Sequence, residues 1–372
     1  MRRIGFQPPP RLRSIRPGGA PAGAYLGRAF WPCCLGRDAL YWAFRMLYPR
    51  AGATAWLPSF HCGLEVEAAR SAGFDLAFYH VRADLTVDVE DLAARVQARP
   101  GPILLIHYFG RGDPATRQIA ALCQSVGMPL IEDCCHALYS RLEDRWLGSF
   151  GQLAAFSLPK TLGTPDGGVL SADLTTLRAT LRREPIAPAL RTRALWPFVA
   201  LLDRKSPLPN WFAGSTWAAG PGRPSIPPAA DAPPRDYTRR MSLITEWLSA
   251  AVRPDLIAQR RRANCEQLAA RLRAVTSVQS LWPMPDAGTV PLGLPLFVRD
   301  RDRLVRALEA ERIESYVFGR YPHPALPDGA FPAARMLREQ LIAVPVHHAL
   351  TSSQLDRLSD VLSMLLPRHA LD

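Results

Sequence analysis

Residues 103–133 read ILLIHYFGRGDPATRQIAALCQSVGMPLIED. An apolar run, ILLIHYF, gives way to an amphipathic stretch, ATRQIAALCQSVG, and then to a second apolar run that ends on two acids. Short runs that are apolar throughout, rather than alternating, suit strands covered on both faces. A helical segment between two of them is the crossover that a parallel pair requires. The same rhythm extends outward in both directions, from Gly36 to about Ala172. ATAWLPSF, FDLAFYHV, LAAFSL and GGVLSA read as further buried strands, and DVEDLAARVQA as a further helix. The sequence therefore predicts an α/β layer with a mainly parallel sheet. In such sheets ligands sit beyond the carboxyl ends of the strands, so the residues that follow each run carry the most functional interest.

The pattern breaks over 205–235, which is dense in proline, glycine and alanine and reads as an irregular excursion. Beyond it, MSLITEWLSAAVRPDLIAQRRRANCEQLAARLRAV has helical spacing with a break expected at Pro254. The remainder alternates again: TVPLGLPLFV, the helix RDRLVRALEAER, the strands IESYVF and LIAVPV, and a last helix from Thr351. The expected division is a large unit, 1–240, that includes the excursion, and a small C-terminal α/β unit, 241–372.

The chain has 372 residues, 48% of them hydrophobic and 21% charged, which is globular composition. A formal charge of +12 invites a nucleic-acid reading. The arginines are scattered, however, and neither zinc-finger spacing nor an aromatic-basic motif accompanies them, so no nucleic-acid partner is expected. Anionic small substrates suit the excess better. The opening MRRIGFQPPPRLRSIRPGG lacks the apolar core of a secretory signal, and ALWPFVALL at 194–202 is too short to span a bilayer. A cytoplasmic protein without a membrane partner is the expectation. Its seven cysteines make no paired zinc pattern, so no metal is expected and the thiols are read as reduced, buried groups.

Only two lysines occur, Lys160 and Lys205; every other basic position is arginine. Arginine serves a surface charge or a carboxylate partner equally well, but it cannot lose a proton near neutrality and attack a carbonyl. Lys160, in AAFSLPKTLGTPDGGVL (154–170), is therefore a candidate Schiff-base lysine. Asp133 closes an apolar strand. It reads either as an acid opposite a pyridinium nitrogen or as a helix N-cap before CCHAL. His136 follows three residues later, as a core histidine or a site residue. In LGRDALYWAF (35–44), Gly36 and Arg37 open a helix whose first amides could hold a phosphate, though many helices start this way. Ser157 ends the strand before Lys160. Gly167 and Gly168 allow close backbone approach just beyond it.

LGRDALYWAF, LPSFHCG, LIHYFG, LIEDCCHAL, GSFGQLAAFSLPKTLGTPDGG and VPVHHALTSSQLDRL stand in the order and rough spacing of a known family. The chain resembles the DegT/DnrJ/StrS family of pyridoxal-phosphate (PLP) enzymes, mostly sugar aminotransferases of the aspartate aminotransferase (type I) fold. The resemblance implies that Lys160 carries pyridoxal 5'-phosphate as an imine and that Asp133 pairs with its pyridine nitrogen. It further implies His136 near the phenolic oxygen, Ser157, Gly36 and Arg37 on the phosphate, and His61 on the ring face. It implies an amino-acid donor, usually glutamate, a small-molecule keto acceptor and a homodimer. His107, Tyr321 and His347 are candidate pocket-lining residues, with Arg320 and His348 in the same segments. Two departures mark a divergent branch. Ser157 and Lys160 enclose two residues where the family commonly has four, and RRMSLITEW stands where the family has Gly-Tyr-Asn. Some relatives are dehydratases with histidine at the lysine position, which Lys160 argues against. A non-catalytic, regulatory protein of this fold is the other alternative.

Overall fold

Seven strands form the central sheet of the computed structural model, which describes residues 3–9, 24–173, 178, 236–273 and 286–368. In chain order the first elements are β1 (Ala29–Cys33), α1 (Gly36–Arg45), β2 (Thr54–Pro58), α2 (Leu64–Ser71), β3 (Asp75–Tyr79), α3 (Val89–Ala98), β4 (Ile103–Ile106), α4 (Thr116–Ser125) and β5 (Leu130–Asp133). A two-strand flap, β6 (Arg141–Leu142) and β7 (Arg145–Trp146), precedes β8 (Leu153–Ser157), α5 (Leu158–Leu162) and β9 (Gly168–Ala172). The sheet order is β1-β9-β8-β5-β4-β2-β3. β8, β5, β4, β2 and β3 run parallel; β9 alone runs the opposite way, and the edge strand β1, antiparallel to β9, again shares their direction. The α/β layer expected from residues 103–133 is thus present, with Ile106 paired to Asp133 and Asp133 to Ala155 in register.

Every parallel strand points its carboxyl end to the same side, so the residues after Pro58, Ile106, Asp133 and Ser157 gather at one rim. The antiparallel β9 adds a constraint. Gly168 pairs with Ser157 on one side and with Cys33 on the other, which draws the start of α1 against the end of β8. A Cβ on Gly168 would lie 2.1 Å from the Leu35 carbonyl oxygen, so only glycine fits that approach.

After residue 236 come α6 (Leu243–Ala250), α7 (Pro254–Leu272), β10 (Gly293–Phe297), α8 (Arg301–Ala310), α9 (Pro332–Gln340), β11 (Leu341–Pro345) and α10 (Ser352–Leu365). The break expected at Pro254 is there, with the proline as the first residue of α7, where its missing N–H costs nothing. β10 and β11 pair antiparallel and carry a second core, built from Leu268, Leu294, Leu296, Val344, Leu358 and their neighbours. Ile4, from the other end of the chain, is buried in that core. IESYVF does not form the expected strand. Ile313 bridges to Ile4 and Tyr316 to Ala343, so the segment changes partner within three residues and no ladder develops. All seven cysteines are free thiols, six of them buried and Cys62 partly exposed. The excursion 205–235 lies outside the described residues.

Candidate active site

Asp133 is the last residue of β5 and is 3% exposed. No helix follows it, which removes the N-cap reading. Instead the chain turns at once, and the Cys135 amide donates to Asp133 Oδ1 at 2.9 Å. The carboxylate is thereby fixed at the rim.

Lys160 lies half-buried in α5, a single turn entered through Pro159 and ended by Gly163 in the left-handed conformation (φ 68°). Its charge acts on Cys62, Glu65, Cys135 and His136, which identifies the groups around it. The turn is braced from behind by Arg261, 1% exposed, which donates to the Thr161 carbonyl at 2.9 Å and to the Pro291 carbonyl at 2.9 Å. Burial lowers this guanidinium to about 9.

The third component is the start of α1. Asp38 Oδ2 accepts the Leu35 amide at 2.9 Å and closes the first turn on itself, leaving the helix to begin at Gly36 and Arg37. A Cβ on Gly36 would sit 2.7 Å from Cys135 Sγ and 3.0 Å from Ser157 Cβ. The glycine therefore lets three pieces meet: the amide end of α1, the turn after Asp133 and the strand end before Lys160.

His136 is buried, with Nδ1 accepting the Phe109 amide at 3.3 Å and Nε2 3.2 Å from the Tyr316 hydroxyl. Burial, with the charge of Lys160 adding to it, pushes the imidazole well below its usual range. Two residues that the sequence reading passed over join the group. Glu65, 3% exposed in the first turn of α2, accepts the Cys62 thiol at 3.1 Å. Burial, then the charge of Asp133, raises its carboxyl above the ordinary value. Tyr316 is the other.

Other expected positions differ. The His61 ring stacks on Phe78 at 5.6 Å, its charged neighbours are Arg338 and His323, and neither nitrogen has a hydrogen-bond partner among the described residues. It belongs to the core, and it is its neighbour Cys62 that feels the charge of Lys160. His107 cannot line a pocket. It is fully buried and bonds Glu132 Oε2 at 3.0 Å. Cys134 also approaches this pair, but the Glu132 oxygens already accept the amides of Gly148, Phe150 and Gly151, as befits a structural strut. His347 bonds the Gly5 carbonyl at 3.1 Å beside the second core, and His348 follows it half-buried. Tyr321 is half-buried between α8 and α9, next to Arg320, whose guanidinium pairs with Asp302 at 2.8 Å.

Residues 33–183 match the model of the DegT/DnrJ/EryC1/StrS aminotransferase family, a span that includes every component from Gly36 to Lys160. Among curated proteins, the chain is 33% identical over 147 residues to the UDP-N-acetyl-3-dehydro-α-D-glucosamine 3-aminotransferase of Acidithiobacillus ferrooxidans, covering 38% of this chain and 39% of that one. It is 26% identical over 138 residues to the GDP-perosamine synthase of Vibrio cholerae, covering 36% and 37%. These alignments span about two-fifths of the curated relatives. Solved structures extend the likeness of fold to nearly the whole chain. A DegT DnrJ EryC1 StrS aminotransferase from Brucella abortus superposes with TM-score 0.65 at 20% identity, covering 92% of this chain and 88% of that one. The Helicobacter pylori aminotransferase PseC, involved in pseudoaminic acid biosynthesis, gives 0.74 at 13% identity, covering 99% and 100%. The fold is that of these aminotransferases.

Proposed function

From the match of residues 33–183 to the model of the DegT/DnrJ/EryC1/StrS aminotransferase family, we propose that the chain is a member of it and a PLP-dependent aminotransferase. It moves an amino group, from glutamate as donor, to a keto group of a sugar or sugar-nucleotide acceptor. One observation carries this reading: Gly36, Cys135 and Ser157 close on one another so that α1, Asp133 and Lys160 converge. That donor set fits the cofactor: a lysine, a buried acid at the end of a central strand, and a helix amide terminus across a cradle that a Cβ would fill. When bound, PLP supplies an electron sink for the charge left by proton removal. Lys160 Nζ would hold the cofactor covalently and, when free, would serve as the base for the donor α-carbon proton. The Asp133 carboxylate holds the proton on the ring nitrogen. The amides of Gly36 and Arg37 and the Ser157 hydroxyl bind the phosphate, and Cys62 takes the ring-face position.

The proposal includes a homodimer in the cytoplasm, each chain divided into a large unit 1–240 and a small unit 241–372, with Ile4 lent to the latter's core. Leu243 and Trp247 support the dimer, standing one turn apart on α6 and 60% and 48% exposed. Among the described residues no helix is long and apolar enough to cross a membrane. Arg320 and Tyr321 remain the proposed acceptor-side residues.

Incubation with ¹⁵N-glutamate and a panel of keto sugars tests the reaction. Label retained on the sugar supports amination, label released only as ammonia makes the enzyme a dehydratase, and no half-reaction with any amino acid overturns a catalytic role.

A further inference from the structure

His136 is engaged at both ring nitrogens, and the order of donors and acceptors around it can be worked out. The Phe109 N–H donates to Nδ1 at 3.3 Å, so Nδ1 carries no proton. Burial keeps the ring neutral, which leaves its one proton on Nε2. Nε2 therefore donates to the Tyr316 oxygen across 3.2 Å. It follows that the Tyr316 proton is turned away from His136. Phe109 holds φ at 51°, a left-handed conformation that a non-glycine residue adopts at a cost, and this is the residue whose amide sets the tautomer.

Tyr316 is itself firmly placed. Its N–H donates to the Ala343 carbonyl and its carbonyl accepts the Ala343 N–H, both at 2.8 Å, so β11 fixes the backbone. Phe6 and Phe318 pack about the ring at 5.1 and 6.2 Å. The titratable groups that face the hydroxyl are Cys62 and Glu65 from the β2–α2 segment, and Asp133, Cys135 and His136 from the end of β5. Four of them, Cys62, Glu65, Cys135 and His136, also feel the charge of Lys160.

We propose that Tyr316, rather than His136, donates the hydrogen bond to the phenolic oxygen of the ring held between Lys160 and Asp133. His136 is a positioning residue that orients the phenol. The inference rests on the PLP reading above and assigns to the C-terminal segment a donor that the resemblance placed just after β5. It also gives the small sheet a direct part in the cofactor's protonation.

The test uses the full-length protein, with and without PLP. In the unloaded protein, ¹⁵N NMR of His136 is expected to show a protonated Nε2 and a bare Nδ1. In the loaded protein, Tyr316→Phe is expected to retain the lysine-bound absorption band while its pH midpoint rises by about one unit, a tenfold change in proton affinity. The direction follows because losing the donor leaves negative charge on the oxygen less stabilised, and the neighbouring imine nitrogen keeps its proton to higher pH. The opposite tautomer, or an unmoved midpoint beside a normal band, overturns the assignment of Tyr316 alone. Absence of any borohydride-fixable band in the wild type overturns the PLP reading and this inference with it.

Discussion

Glu132 and Asp133 are consecutive residues of β5 and face opposite sides of the sheet, as neighbours in a strand must. Glu132 bonds His107 at 3.0 Å and accepts three backbone amides beneath the sheet rim, whereas Asp133 is held by the Cys135 amide at the rim itself. One acid builds the fold, and the other serves the proposed chemistry. Substitutions at the two positions separate these roles.

Glu132→Gln is expected to lower stability by about 3–5 kcal/mol, because it removes one partner of a buried pair and turns an amide NH₂ toward backbone donors. Burial alone would raise this carboxyl, but the bond and charge of His107 and the amides of Gly151 and Gly148 hold it below its ordinary value. The stabilisation is thus complete above the unfolded carboxyl value, near ~4.3, and is lost as pH falls through the lower folded one. Urea unfolding as a function of pH should show this acid limb in the wild type and a flattened one in the variant.

Asp133→Asn should unfold at nearly the wild-type denaturant midpoint and still take up PLP. Its half-reaction with glutamate should fall by about a hundredfold or more, since an amide does not hold the ring proton by charge. Stopped-flow absorbance measures the rate directly. A near-normal rate would reduce Asp133 to a turn-forming residue.

His61→Leu is expected to raise stability by about 1 kcal/mol at neutral pH, since it removes two buried nitrogens that have no partners among the described residues. Burial, then the charges of Arg338 and His323, lowers the folded imidazole. The unfolded chain therefore binds a proton near ~6.5 that the folded one refuses, and stability declines as pH drops from there toward the folded value. The variant should lose that part of the decline in a thermal-melt pH series while keeping its PLP uptake.

Gly36→Ala forces a methyl to within 2.7 Å of Cys135 Sγ and 3.0 Å of Ser157 Cβ. Relieving the overlap is expected to cost about 1–3 kcal/mol and to part the phosphate-binding elements. PLP affinity, followed by absorbance titration, should weaken at least tenfold, more than Ser157→Ala weakens it.

The parallel sheet was legible because residues 103–133 bury both faces of each strand, so their apolar runs carry no competing pattern. Lys160 was legible because a chain that otherwise uses arginine keeps few lysines. The choice between His61 and Cys62 was not. Successive residues leaving a strand point to opposite sides, and only the register decides which one meets the site. Glu65 was hidden for a different reason: an acid in the first turn of a helix is already accounted for by the helix dipole. Tyr316 lies 180 residues from His136 in a segment whose pattern suggested a strand, and only the packing of β11 brings the two together.

Lys160 is the residue on which the proposed chemistry turns, and borohydride reduction of the PLP-loaded protein followed by peptide mass mapping tests its role most directly. A single irreversibly labelled peptide containing Lys160 is expected, and no label on that peptide in Lys160→Arg, which preserves the charge but cannot form the bond. A reduced adduct on Lys205, or no adduct after PLP addition, would contradict it.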